Sequence, residues 1–109
     1  MAQVAEFEII GRIAKFDAKE KVTFVDIASS YPRQENDEWV DDTHWNRVTF
    51  FGNNIERIMK NGVGDLVRVV GRVRQSQYER DGEQVYGVDL IAERSDRLAK
   101  KFEGTTGDR

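Results

Sequence analysis

The sequence has no cysteine and one histidine, His44, in 109 residues. Disulfide scaffolds, thiolate metal sites, iron–sulfur clusters and cysteine nucleophiles are thereby excluded. A lone histidine cannot build a histidine-rich metal or acid–base site. Proline occurs once, at Pro32. No run of about 18 apolar residues is present, so no membrane-spanning helix is expected. The N-terminus carries Glu6 and Glu8 in place of a basic-then-apolar signal pattern, and a soluble, intracellular, single-domain protein is the expectation. GxGxxG, GxxxxGK and GxSxG patterns are also missing, as is any nucleophile–base arrangement. Neither catalysis nor a cofactor is expected.

What is present is charge, unevenly spread. The chain holds 17 Lys or Arg against 20 Asp or Glu, a formal charge of −3. Residues 1–42 contain 5 basic and 10 acidic side chains, residues 43–78 contain 6 and 2, and residues 79–109 contain 6 and 8. The local field, more than the net charge, decides where a polyanion binds. The middle segment is therefore the place to look for an anionic partner.

Hydrophobic periodicity predicts five strands. The first spans Val4 to Phe16, with Phe7, Ile9, Gly11 and Ile13 alternating with Glu8, Ile10, Arg12 and Ala14. After the polar turn at 17–21, the β-branched stretch from Val22 to Tyr31 predicts a second strand, both of whose faces are partly apolar. Pro32 is expected to end it, since proline gives no N–H to a ladder. Residues 33–42 carry five carboxylates and predict an acidic loop or a two-stranded flap held by Trp39 and Val40. The third strand follows over 44–52. A helix of about two turns is then predicted from the i, i+3, i+4 spacing of Ile55, Ile58 and Met59. Strands over 65–78 and 84–93 flank Asp81-Gly82, a strong hairpin signal. Gly11, Gly52, Gly71 and Gly87 read as barrel bends or tight packing points. Five strands with one helix between the third and fourth fit a closed all-β OB-fold barrel, with SH3-like and other small β folds as alternatives.

Strand parity marks the candidate site. Trp45, Arg47 and Phe51 share one face of the third strand, and Arg68, Arg72, Arg74 and Tyr78 share one face of the fourth. Val48, Phe50, Val67, Val69 and Val73 supply a core of the opposite parity. If the two strands neighbour each other, rings and guanidiniums form one surface suited to single-stranded nucleic acid, with bases stacked on rings and cations on phosphates. Tyr31 extends this stacking path. Trp39, among five carboxylates that would repel phosphate, is expected to pack instead. Those carboxylates follow no metal-loop spacing and read as a solvated loop. Stacking surfaces accept DNA and RNA alike.

The string Thr43-His44-Trp45-Asn46-Arg47-Val48-Thr49-Phe50-Phe51-Gly52 resembles the T-E-W-H-R-V-x-x-F-G block of the bacterial-type single-stranded DNA-binding proteins. The likeness continues through Asn53 to Glu56, Lys60-Asn61-Gly62, Leu66 to Arg74, Tyr78 to Gly82 and Tyr86, and covers about residues 3–93. It implies an OB-fold domain over residues 1–95, followed by a polar, flexible segment over 96–109. It also implies sequence-independent binding and protection of single-stranded DNA in replication, recombination or repair. Self-association into a homodimer or homotetramer and a cytoplasmic, nucleoid-associated location go with it. Carried onto this chain, the family's stacking aromatics fall on Tyr31, Trp45, Phe51 and Tyr78. Arg12, Arg47, Arg72 and Arg74 match polar or basic positions near the DNA path. The short turn at Asp17–Lys21 departs from the family's longer segment. The family's acidic, phenylalanine-tipped tail, which recruits replication and repair proteins, has no counterpart in the terminal GTTGDR. The alternative reading is an OB-fold accessory subunit that meets protein rather than DNA.

Overall fold

The structure, a computed structural model, describes residues 3–101. The described residues form five strands and one helix: β1 (Glu6–Ala18), β2 (Val22–Glu35), β3 (Glu38–Phe51), α1 (Asn53–Ile58), β4 (Leu66–Arg80) and β5 (Glu83–Ala99). They close into a barrel in the order β1-β2-β3-β5-β4, sealed by β1 against β4. Every pairing is antiparallel except the short parallel contact of β3 with β5, Val48 with Leu90 and Thr49 with Ile91. This is the five-stranded OB-fold predicted from the element order, with α1 between β3 and β4.

Alternation with a period of two sorts side chains to the inside and outside of the cylinder. Ile13, Val25, Ile27, Val48, Phe50, Val67 and Val69 are buried inside, joined by Ile58 from α1 and Ala92 from β5. Phe7, Ile9, Phe16, Ile55 and Leu90 pack against this cluster. The ambiguous second strand is settled by its partner: Thr23, Val25 and Ile27 face inward beside Phe50, Val48 and Asn46, so Phe24 and Asp26 face out. Closing so small a barrel brings backbones close at two strand glycines. A Cβ on Gly71 would collide with the Ile91 carbonyl at a register shift, and one on Gly11 with the Ala28 carbonyl.

Two hairpins outgrow the barrel. Beyond Ala28 the register pairs β2 with β3 alone, and beyond Val73 β4 continues with β5 alone. Both ribbons end in two-residue turns with positive φ at both centres: Asn36 (52°) and Asp37 (66°), and Asp81 (52°) and Gly82 (81°). Such turns match the twist of a hairpin. The projecting ribbons account for a radius of gyration of 16.6 Å, against about 13 Å for a compact chain near this length.

Two expectations change here, and one open alternative is decided. Pro32 does not end β2, which continues to Glu35, and Pro32 pairs with Asp41. It is tolerated because the other side of β2 is an open edge at that height, where a missing N–H breaks no ladder. Residues 33–42 form the two-stranded flap rather than an irregular loop. The final strand runs to Ala99, so residues 96–99 of the segment expected to be flexible belong to β5. Residues 102–109 of that segment lie outside the described residues.

Candidate functional site

Trp45, Arg47 and Phe51 project from the outer face of β3, and the β2 register supplies their neighbours: Ala28 beside Trp45, Asp26 beside Arg47, Val22 beside Phe51. Arg12 of β1 pairs with Ala28, so Arg12, Ala28 and Trp45 form one row across three strands. Trp45 is 65% exposed and Phe51 43%, large apolar surfaces offered to solvent with no fold requirement behind them. Between them the Arg47 guanidinium lies 4.4 Å from the centre of the Phe24 ring. Phe24 is a site residue that strand alternation alone missed. Its parity was readable, but its face was fixed only by the partner strand.

Arg47 is also held from the side. It donates a 2.8 Å hydrogen bond to Asp17 Oδ2 and comes within 3.7 Å of Asp26 Oδ1. The hydrogen bond from Arg47 is the main reason the Asp17 carboxyl is held below the ordinary carboxylate value, outweighing an opposing desolvation; Lys19, 3.4 Å away, helps. Arg12 donates to the Gly64 carbonyl at 3.1 Å.

The second group stands on the outer face of β4, which does not pair with β3. β5 lies between β3 and β4, so the expectation of one continuous β3–β4 surface is corrected to two outer walls separated by β5 on one side and joined through β1, which pairs with both β2 and β4, on the other. Physically, a closed five-stranded barrel with this chain order inserts the last strand between the third and fourth. Tyr78 is 49% exposed, with the Arg80 guanidinium 5.9 Å from its ring centre. Arg74 donates to Asp89 at 3.0 Å, Arg72 lies 3.8 Å from Glu93, and Arg68 pairs with Glu8. Arg47, Arg68, Arg72 and Arg74 thus each face a carboxylate of a neighbouring strand.

Tyr31 lies elsewhere. It pairs with Asp42, one residue out of phase with the Ala28–Trp45 pair, and so projects from the opposite face of the β2–β3 ribbon. There it lines an open cleft of ≈ 580 Å³ with Ile10, Ser29, His44 and Asn46. His44 Nε2 sits 3.2 Å from Asp42 Oδ2, which also approaches Arg33 at 3.8 Å. Trp39, expected to pack, is 70% exposed beside Gln34 near the ribbon tip, and shares the outer parity of Trp45. The acidic ribbon spaces its carboxylates along an extended chain; among the described residues no group of His, Asp or Glu could hold a metal ion.

One buried carboxylate has a structural task. Asp65 accepts from the Gly62 amide at 2.9 Å and the Lys101 amide at 2.8 Å, with Arg97 at 3.7 Å. The backbone bonds, Gly62 first, hold its carboxyl below the ordinary value. It ties the loop before β4 to the end of β5.

No curated protein matches the sequence. Solved structures share the fold at low identity. The mitochondrial single-stranded DNA-binding protein Rim1 of S. cerevisiae superposes with a TM-score of 0.67 at 22% identity, covering 91% of this chain and 99% of its own. A single-stranded DNA-binding protein from Thermus aquaticus, as a deletion mutant, gives 0.72 at 23% identity over 87% of this chain and 50% of that one. The Plasmodium falciparum SSB in complex with ssDNA gives 0.66 at 16% identity, covering 91% and 96%. The single-strand binding protein family matches residues 4–98, and the chain belongs to that family.

Proposed function

We propose that this protein binds single-stranded DNA without sequence preference, on the outer face of β1–β3, and protects it in replication, recombination or repair. The observation that carries the reading is the exposed pair Trp45 and Phe51 flanking the Arg47–Phe24 stack on a rigid barrel wall. Rings on a rigid strand offer stacking at low conformational cost, and each base–ring stack contributes about 1–3 kcal/mol whatever the base. Arg12 and Arg47 on this wall, with Arg68, Arg72 and Arg74 on the other, supply cations for phosphates. Tyr78 gives the second wall a ring of its own, and Tyr31 offers another on the cleft side of the ribbon. Binding proceeds without catalysis or a cofactor.

The Trp45–Gly52 string supports a bacterial-type member acting in the cytoplasm on nucleoid-associated DNA. Self-association, as a homodimer or homotetramer, is supported by apolar side chains exposed away from the stacking wall, Tyr86 and Val88 of β5. Replication and repair proteins are the further partners that this reading implies.

A fluorescence titration with oligo-dT and with matched duplex, at low and moderate salt, tests the reading. Strong tryptophan quenching by the single strand and weaker affinity for duplex are expected. Equal affinity for both contradicts it. Normal assembly without affinity for any oligonucleotide would favour the accessory-subunit reading instead.

A further inference from the structure

The arginines of both walls already hold carboxylates where a phosphate would sit. Arg47 has Asp17 at 2.8 Å and Asp26 at 3.7 Å; Arg74 has Asp89 at 3.0 Å. These pairs join different strands, so they are built by the barrel register and the folded chain presents them ready-made. A guanidinium fork fits carboxylate and phosphate with the same geometry. We propose that Asp17 and Asp89 are resident competitors for the DNA backbone, and that binding exchanges each carboxylate for a phosphate at Arg47 and Arg74. The proposal rests on the single-strand-binding reading of these walls.

The exchange has two consequences. Each arginine must break a partly exposed ion pair before it meets a phosphate; such pairs are individually weak, so the exchange is accessible. The freed carboxylate then recovers its own cation atmosphere. The net release of counterions per arginine is therefore smaller than for an unpaired cation, and the salt dependence of binding is shallow. Asp17 and Asp89 thereby set affinity and salt response while touching no DNA themselves.

Oligo-dT titrations across salt concentrations on the full chain, for wild type, D17N, D89N, the double variant and D37N, test this. D37N makes the same charge change at the ribbon tip, ten residues and about 33 Å of extended strand from Arg47, and asparagine accepts the positive φ there. Each of D17N and D89N should bind roughly two- to fivefold tighter, and the double variant roughly as the product. The log–log salt slope should steepen by about 0.7 for each arginine released. D37N should move neither. Thermal unfolding confirms that each variant is folded. Wild-type binding with unchanged or weakened affinity and unchanged slope in D17N and D89N overturns the proposal alone. An equal gain in D37N also overturns it, as a general charge effect. Absence of oligo-dT binding by the wild type overturns the functional reading and this proposal together.

Discussion

The two hairpin ribbons are built alike and equipped differently. β2–β3 and β4–β5 are both long antiparallel pairs rooted in the same core and closed by two-residue turns with positive φ. On its outer face the first carries four rings, Phe24, Trp39, Trp45 and Phe51, with one arginine, Arg47. The second carries Arg72, Arg74 and Arg80 with one ring, Tyr78, while Asp89 and Glu93 of β5 answer two of those arginines. One wall offers area for stacking. The other offers cations that are already largely neutralised. A net-negative chain can therefore hold a polyanion if stacking carries the affinity and the arginines position the backbone.

The largest expected effect abolishes the comparison by removing what the ribbons share. Phe50 is fully buried at the barrel centre, and Phe50→Ala should destabilise the fold by about 3–5 kcal/mol, read as a lowered denaturation midpoint together with loss of binding. Trp45→Ala separates the walls: oligo-dT affinity should fall by about 1–3 kcal/mol, roughly five- to 150-fold, while the unfolding temperature stays near wild type. Tyr78→Ala should cost less, about 1 kcal/mol, because its wall has a single ring. Equal losses for the two variants would erase the distinction between the ribbons.

Smaller effects concern charge. Asp65 and Asp17 both titrate below the ordinary value of 3.8 in the folded chain. Their contribution to stability is complete above that value and disappears as pH falls through the lower folded-state value. Unfolding temperature should accordingly hold steady down to about pH 5 and drop below about pH 4. Asp65→Asn should lower stability at neutral pH and flatten that acid drop. Smallest of all should be the response of wild-type DNA binding to moderate salt, shallower than about 0.7 log units per arginine engaged.

Much of this was legible in residue order. Alternation in β1, β3 and β4 predicts the core, Asp81-Gly82 predicts its turn, and the parity of Trp45, Arg47 and Phe51 predicts an exposed face. The missing parts depend on partners distant in sequence. Pro32 looks like a terminator until β2 is seen to have an open edge there. Phe24 cannot be assigned to a face until Thr49 pairs with it. Tyr31 falls on the far side of the ribbon because it shares the parity of Val25 and Ile27, and that face of β2 is fixed as the inner one only by pairing with Val48 and Asn46 of β3. Above all, the carboxylates opposite Arg47 and Arg74 lie 30 and 15 residues away in the chain. Charge counting by segment cannot find them.

The chain has two tryptophans, and they permit a direct test of the central claim that the Trp45 wall is the stacking site. Titrating W39F leaves Trp45 as the sole indole, and titrating W45F leaves Trp39. Oligo-dT should quench W39F nearly as strongly as wild type and leave W45F almost unquenched and more weakly bound. Strong quenching in W45F with none in W39F would place the DNA at the acidic ribbon tip and contradict the account.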